Sequence, residues 1–275
     1  MMTTINNNNN NNKFLTWFVG FCDAEANFQT TFVKRINKKG QLTSYGIKYG
    51  FYIGLHEQDK PLLEYIQQKL NNIGKIYEYP LKKECRYSIY THDDLKWLID
   101  NIFSKYPLFT IHQATRYERI NKGITNKINK ISISNRKGQV AEESYEVQDP
   151  KSYLGISEIL PLLNNRTDFE IDNWIIGFFN GEVSFTYLTK KNKKIIPRIM
   201  LEHTDERVIS MIKDRLKIGP KILVRTRDTR KTTYSLQISS QKDITTIITF
   251  LDKYNNLKGN KLSQYEEWKE KFKLI

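Results

Sequence analysis

The sequence is poor in cysteine and histidine and has no long apolar run. Two cysteines among 275 residues exclude a disulfide-stapled fold and favour a reducing compartment. The apolar runs are all shorter than the roughly 20 residues that cross a bilayer, and we recognise neither a secretory signal nor an Arg-rich transit peptide. The four histidines lack the HxH and HExxH spacings, which disfavours a zinc site and an HNH-type nuclease.

Acidic residues are also few. The chain has 30 Asp and Glu residues against 44 Lys and Arg residues, so its formal net charge is +14 at pH 7. Such an excess indicates a polyanionic partner, with nucleic acid the first candidate and an acidic membrane surface the second. A plain basic protein is the remaining alternative.

A repeat organises the rest of the chain. Long stretches of the first half match stretches of the second half. The offset between them drifts by a few residues, which different loop lengths explain, so each half is one copy of the same unit. Three residues of the first copy recur in the second at a constant offset of 157: Trp17, Gly20 and Glu25 correspond to Trp174, Gly177 and Glu182.

Each copy predicts the same order of elements, αββαββα. In the first copy, helical spacing predicts helices at 14–25 and 59–72, and alternation of apolar and polar residues predicts strands at 27–36 and 47–55. Antiparallel hairpins with helices on one face leave the other sheet face polar, which is an α+β architecture.

The composition divides the chain into four segments. Seven consecutive asparagines make the leader a low-complexity segment that we expect to be disordered. We expect this leader at 1–12, a first domain at 13–123, a linker at 124–170 with a short helix near 155–163, and a second domain at 171–275.

Small residues lie four apart on both repeated helices. Gly20 and Ala24 share one face of the first helix, and Gly177 and Gly181 share one face of the second. Because the flanking residues are apolar nearly all round, both helices should be buried. Small residues let helix axes approach closely, so we expect the two repeated helices to pack on each other.

Each repeated helix ends on a glutamate. A carboxylate at a helix C-terminus opposes the helix dipole by about 0.3–1 kcal/mol, and two such carboxylates close together repel each other. A divalent cation between Glu25 and Glu182 would offset both penalties, and Mg²⁺ suits one or two carboxylates plus phosphate oxygens. This pattern predicts metal-assisted phosphodiester hydrolysis. For either glutamate alone, a solvated helix end is the simpler interpretation.

Two hexapeptides carry a family resemblance. Residues 20–25 (GFCDAE) and 177–182 (GFFNGE) resemble the two motifs of a monomeric LAGLIDADG homing endonuclease, and the resemblance covers about 14–121 and 172–273. It implies that the motif helices form the domain interface and that the last acid of each motif binds Mg²⁺ and is catalytic. It also implies a saddle of strands along the DNA major groove, with cleavage across the minor groove.

The resemblance further implies a lysine before each closing helix. Lys261 matches that position in the second copy, whereas His112 stands there in the first. Three positions depart from the family pattern. Ala26 and Val183 replace the glycine that usually follows each acid, which predicts an altered turn and weakened cleavage. Asn180 replaces an aspartate of the second motif.

Polar side chains on the predicted strands are candidates for DNA contact. Asn and Gln can pair bidentately with adenine, and Arg can pair with guanine. The alternative is a sheet face that is polar only because it contacts solvent. The candidates from the first copy are Asn27, Gln29, Thr31 and Arg35; those from the second are Ser184, Thr186, Lys190, Arg225, Arg227 and Arg230.

Three functions remain open at this point. The first is a monomeric, intron-encoded endonuclease that cuts both strands of a double-stranded DNA site with Glu25, Glu182, Lys261 and Mg²⁺. The second is an RNA-binding maturase that assists the splicing of its host intron, and the third is a DNA-binding remnant. Family analogy implies a mitochondrial location, and no membrane partner is expected.

Overall fold

The computed structural model describes residues 2–132, 165–189, 195–228 and 230–273. The chain divides into two compact units: residues 25–159 form the first unit, and residues 1–24 together with 160–275 form the second. Each unit contains one antiparallel sheet with helices, which confirms the predicted α+β class. Within the described ranges, no helix combines the length and the apolarity needed to cross a membrane.

The first unit is built on a sheet of long and short strands. Its strands are β1 (Ala26–Ile36), β2 (Leu42–His56), β3 (Lys75–Tyr79) and β4 (Glu84–Ile89), and its helices are α2 (Lys60–Lys69), α3 (His92–Leu98) and α4 (Ile111–Thr125). A π-helical turn at Ile99–Phe103 extends α3. The strand order is β1-β2-β4-β3, so both hairpins are adjacent in sequence and the two inner strands join them.

Alternation along the strands separates a buried face from an outer face. Phe28, Phe51 and Ile53 point inward and are at most 5% exposed. The ring of Phe28 lies 5.2 Å from that of Phe51 and 5.1 Å from that of Phe103, which comes from the π-helical turn. Each such burial is worth about 1.5–3 kcal/mol, so this aromatic cluster holds the helices against the sheet.

A fifth strand completes the first sheet. Strand β5 (Lys130–Ser132) pairs antiparallel with β2 at Ser44–Gly46 and lies in the segment expected to be a linker. Strand β4 covers only the other end of β2, from Phe51 to His56, so the part of β2 before Phe51 would carry unpaired backbone groups on that side. Strand β5 satisfies some of these groups, and a three-residue strand is too short to show a period in the sequence. The helix expected near 155–163 lies outside the described residues.

The second unit repeats the four-stranded part of the first sheet. Its strands are β6 (Val183–Thr189), β7 (Ile195–His203), β8 (Leu223–Arg227) and β9 (Arg230–Ile238), in the order β6-β7-β9-β8. Its helices are α1 (Met2–Glu25), α5 (Asp168–Glu182), α6 (Glu206–Leu216), α7 (Gln241–Tyr254) and α8 (Gly259–Lys273), of which α1 ends at the first residue of the other unit. The predicted order αββαββα is therefore confirmed in both copies, and each copy ends with one further helix, α4 or α8.

The repeated helices α1 and α5 pack on each other through their glycines, as predicted. A Cβ atom on Gly20 would lie 2.0 Å from the backbone oxygen of Trp174, and one on Gly177 would lie 1.9 Å from that of Trp17. Only a residue without a side chain permits this approach. The contact is reciprocal, because each glycine meets the carbonyl three residues before the other glycine.

Helix α5 is fixed by polar groups at its start. Thr167 and Glu170 form a reciprocal capping box, in which each side chain accepts from the backbone N–H of the other. One turn later the buried carboxylate of Asp172 accepts from Arg215 Nε at 2.8 Å and from the hydroxyl of Tyr254 at 2.5 Å. These bonds tie α5 to α6 and α7.

Helix α1 differs from expectation in where it begins and in the unit to which it belongs. It begins at Met2, so it includes the asparagine tract that we expected to be disordered. Once residues 14–25 form a helix, each added residue gains one hydrogen bond, and Lys13 Nζ anchors the junction by donating to Tyr254 O at 2.8 Å. Residues up to Ala24 also belong to the compact unit of the second copy rather than to their own, because α1 packs on α5.

Candidate active site and nucleic-acid interface

Each repeated helix passes directly into the first strand of its sheet. Glu25 is the last residue of α1 and Ala26 the first of β1, and Glu182 and Val183 stand in the same relation in α5 and β6. Both glutamates are partly exposed, whereas the residues that follow them are buried. The sequence therefore presents one carboxylate at the same helix–strand junction in each copy.

The junctions do not require glycine. Val183 has φ −76° and ψ 143°, and Ala26 lies in extended backbone and has no positive φ. Any L-residue adopts these angles without strain. The altered turn that we expected from the loss of glycine at these two positions is therefore not needed.

The residues two before the glutamates have different partners in the two copies. Asp23 is 1% exposed and accepts a hydrogen bond from Trp174 Nε1 at 2.9 Å. Its counterpart Asn180 donates to Lys258 O at 3.2 Å and accepts from Lys258 N at 2.7 Å. An aspartate could not make both bonds, because an ionised carboxylate only accepts. This explains the asparagine that replaces the motif's aspartate.

The indole N–H groups of the two repeated tryptophans also differ in their partners. The indole nitrogen of Trp17, the counterpart of Trp174, is buried and has no hydrogen-bond partner among the described residues. A buried donor without a partner loses about 1–3 kcal/mol of solvation. Lys258 Nζ lies 5.4 Å from the ring centroid of Trp17, so a cation lies over the ring.

Lys261 lies beside the second junction. Its Nζ donates to the carbonyl of Val183, the residue after Glu182, at 2.7 Å. In the first unit the side-chain amide of Gln113 donates to the carbonyl of Ala26, the residue after Glu25. The side chain that contacts the equivalent carbonyl in the first copy is thus Gln113, and the placement of His112 at this position was wrong by one residue.

The register of α4 and α8, the last helices of the two copies, supports this correction. Four residues after Gln113, the ring of Tyr117 lies 5.7 Å from that of Phe28. Four residues after Lys261, the ring of Tyr265 lies 5.3 Å from that of Phe185, the counterpart of Phe28. Counting back four residues from these tyrosines would have identified Gln113 from the sequence.

The candidate DNA-contacting residues of the first copy lie on the outer face of β1. This face carries Asn27, Gln29, Thr31 and Arg35, which alternate with the inward residues. Asn27 Nδ2 donates to the hydroxyl of Tyr52 at 2.6 Å, Gln29 is exposed, and Arg35 is exposed and lies over Gly46.

Sequence reasoning missed other side chains on this outer face. The guanidinium of Arg86 lies 4.5 Å from the ring centroid of Tyr52 and 5.2 Å from that of Tyr79, and it pairs with Glu84 at 2.7 Å. Lys48 faces Thr31 across the hairpin. The signal was available once strands were paired, since residues opposite an outward residue also point outward.

The second sheet presents fewer of its predicted readers. Ser184 and Thr186 are half-buried on the outer face of β6, and Thr186 Oγ1 accepts from Arg198 Nε at 3.3 Å, an arginine that we had not singled out. Arg225 is exposed on β8 and lies 3.7 Å from Glu202. Of the remaining three candidates, Lys190 lies outside the described residues, and Arg227 and Arg230 pair with each other at the ends of β8 and β9.

Two histidines have a structural role. His56 and His203 are the last residues of β2 and β7, and the Nδ1 atom of each accepts a backbone N–H from two residues later, at 3.3 and 3.0 Å. Burial lowers the pKa of His203, although Asp205 opposes this effect. These contacts account for both residues without a metal.

Comparisons with known proteins agree with this geometry. A family model described as LAGLIDADG endonuclease matches residues 18–115 and 175–272. The probable intron-encoded endonuclease 2 of Neurospora crassa is 26% identical over 94% of this chain and 60% of its own length, and the mitochondrial protein RF1 of Saccharomyces cerevisiae is 30% identical over 66% and 34%. This chain thus spans between a third and two thirds of the length of these relatives.

A solved structure matches over nearly the whole chain. The LAGLIDADG meganuclease I-CpaMI bound to uncleaved DNA is 25% identical, covers 93% of this chain and 90% of its own, and has a TM-score of 0.69. The match includes both copies, in agreement with the repeat that the sequence and the two sheets display.

Proposed function

The chain belongs to the LAGLIDADG endonuclease family, and from that premise we propose that it is an intron-encoded, Mg²⁺-dependent endonuclease that cuts both strands of a specific DNA site. The observation that carries the proposal is the duplicated junction, in which a helix buried by its glycine contact ends on a glutamate and passes directly into a sheet. The net charge of +14 suits a DNA partner.

We assign the metal ligands to Glu25 and Glu182. No three His, Cys, Asp or Glu side chains cluster in the described part of the chain, so these residues form no all-protein cage. Mg²⁺ is commonly held by one or two carboxylates and completed by phosphate oxygens and water, and two glutamates fit that donor set. When bound, the ion supplies charge stabilisation and lowers the pKa of water.

Lys261 serves the hydrolysis as a fixed cation. In that reaction the oxygen of water bonds to phosphorus while one P–O ester bond breaks; the water loses a proton and the departing oxygen gains one. The ammonium of Lys261 donates to the carbonyl next to Glu182, and this bond places its positive charge at the junction. A preorganised donor of this kind stabilises charge that develops in the transition state.

The outer sheet faces grip and read the DNA. We assign direct base contacts to Asn27, Gln29 and Arg35 in the first unit and to Thr186 and Arg225 in the second, as side chains on paired antiparallel strands. Antiparallel β-ribbons enter the major groove in other DNA-binding proteins. The I-CpaMI structure, bound to DNA, is the solved neighbour that supports this assignment.

We propose three further properties, which the comparisons support. Two motifs in one chain favour a monomer, the Neurospora relative favours an origin inside an intron, and RF1 favours a mitochondrial location. These names and the family model favour the endonuclease over the RNA maturase.

A cleavage assay tests the proposal. The full chain is incubated with a plasmid that carries its target site, in the presence of Mg²⁺ or of EDTA. The site is the host-gene sequence at the position where the intron that encodes the chain is inserted, without that intron. We expect a single double-strand cut that requires Mg²⁺. Glu25→Gln and Glu182→Gln should each reduce the rate by about 10²-fold or more while DNA binding persists, because they remove a metal ligand at constant shape. Binding of the site without cleavage, in the presence of Mg²⁺, would refute the proposal.

A further inference from the structure

The two copies place different chemistry on the same backbone oxygen. In the second unit a lysine ammonium donates to the carbonyl that follows Glu182, and in the first a neutral amide donates to the carbonyl that follows Glu25. Both side chains come from the first turn of a closing helix, and the two Phe–Tyr contacts described above put these helices in the same register.

The amide can replace the geometry of the lysine but not its charge. Gln113 is 2% exposed, so its side chain is as firmly placed as a core residue. Its amide N–H groups donate hydrogen bonds, yet it carries no positive charge and cannot exchange a proton near neutral pH. The formal charges of Glu25 and Gln113 sum to −1, whereas those of Glu182 and Lys261 sum to zero.

We infer that the two DNA strands are cut at unequal rates, and that the copy with Lys261 cuts first. This inference rests on the proposed endonuclease activity and assigns one copy of the repeat to each strand. Gln113 is a positioning residue: it holds the junction backbone at Ala26 as Lys261 does at Val183, but its neutral amide does not supply the positive charge with which Lys261 stabilises developing charge. Nicked DNA accumulates before the double-strand break.

Strand-specific kinetics test the inference. A duplex that carries the site is labelled with a different dye on each strand and mixed with excess full-length protein and Mg²⁺ in a single turnover. We expect the two rates to differ by roughly 10²-fold or more, the low end of what a positioned proton-transfer or charge-stabilising group contributes. Equal rates would overturn the inference and leave the endonuclease intact, whereas cleavage of neither strand would refute the endonuclease.

Two reciprocal variants identify the cause. Gln113→Lys should accelerate the slow strand and leave the fast strand unchanged. Lys261→Gln should slow the fast strand until both rates are similar, because both copies then carry an amide. Gln113→Met, of similar length but without a donor, and His112→Ala are the controls, and neither should accelerate the slow strand.

The inference can still be tested if one of the variants does not fold. If thermal melting shows that Gln113→Lys is unfolded, Lys261→Gln decides alone, because that lysine is partly exposed and its replacement is smaller. A rate ratio that persists in folded Lys261→Gln would overturn the inference, since the difference would then not come from this pair.

Discussion

The two copies of the repeat agree where they pack and differ where they carry charge. Gly20 and Gly177 make the same backbone contact, but Asp23 corresponds to Asn180 and Gln113 to Lys261. With a glutamate in each copy, the first set has a formal charge of −2 and the second a charge of zero. Packing between α1 and α5 requires both glycines. At each polar position, by contrast, any side chain that completes the local hydrogen bonds is sufficient. Charge at the junctions can therefore diverge while the scaffold persists.

The largest effect should come from the part that the copies share. Gly20→Ala and Gly177→Ala each force a methyl group to within about 2 Å of a carbonyl oxygen unless the helices separate. We expect each to lower the free energy of unfolding by about 3 kcal/mol, and by similar amounts because the contact is reciprocal. Urea denaturation measures both.

Gly219→Ala is the matched control for this experiment. Its added methyl would meet nothing closer than 3.6 Å, so its effect should stay near the ±0.5 kcal/mol of ordinary surface changes. If either helix variant were as stable as the control, the close approach of α1 and α5 would not contribute to stability.

The next effect tests a position at which the copies differ. Asp23→Ala leaves the buried indole N–H of Trp174 without its acceptor, at a cost of about 1–3 kcal/mol in unfolding free energy. Asn180→Ala frees backbone groups of half-buried Lys258, which water can reach, so its cost should be smaller.

A conservative variant separates charge from hydrogen bonding here. Asp23→Asn keeps an acceptor oxygen for the indole and should recover most of the stability that Asp23→Ala loses. Equal losses for the alanine variants at both positions would mean that the buried indole does not distinguish the copies. The same denaturation curves give this answer.

A third effect concerns the outer faces, where the first unit leaves its readers more exposed. Gln29 is exposed on β1, whereas the hydroxyl of Thr186 on β6 is already bonded to Arg198. Gln29→Ala should reduce discrimination at one base pair by about 1 kcal/mol, near the low end for a bidentate contact, and Thr186→Ala should change less.

Binding to a panel of single-base variants of the site, at fixed salt, measures this discrimination. Gln58→Ala, an exposed glutamine in the turn after β2, is the control and should leave the panel unchanged. A uniform loss of affinity for all sequences in Gln29→Ala would instead assign this residue to the phosphate backbone.

Sequence patterns predicted what depends on local periodicity. Alternation gave the faces of β1 and β2, and spacing of four gave the pairing of α1 with α5, because both periods are fixed by backbone geometry. Gln113 was missed because its role depends on a contact with Ala26, 87 residues away, and linear matching placed the equivalence one residue off. Membership of α1 in the second unit was missed for the same reason, since packing decides it.

The smallest effect compares the two strand-end histidines. The pKa of His203 is lowered from 6.5, chiefly by burial, so at mildly acidic pH the unfolded chain binds this proton more readily than the folded one. This contribution to stability is complete above pH 6.5 and is lost as the pH falls below it. His203→Asn should therefore flatten the dependence of the melting temperature on pH between 6.5 and about 5. His56→Asn, which removes the same backbone bond at an exposed position, is the control. An unchanged pH dependence in His203→Asn would show that another group is responsible for the loss of stability in acid.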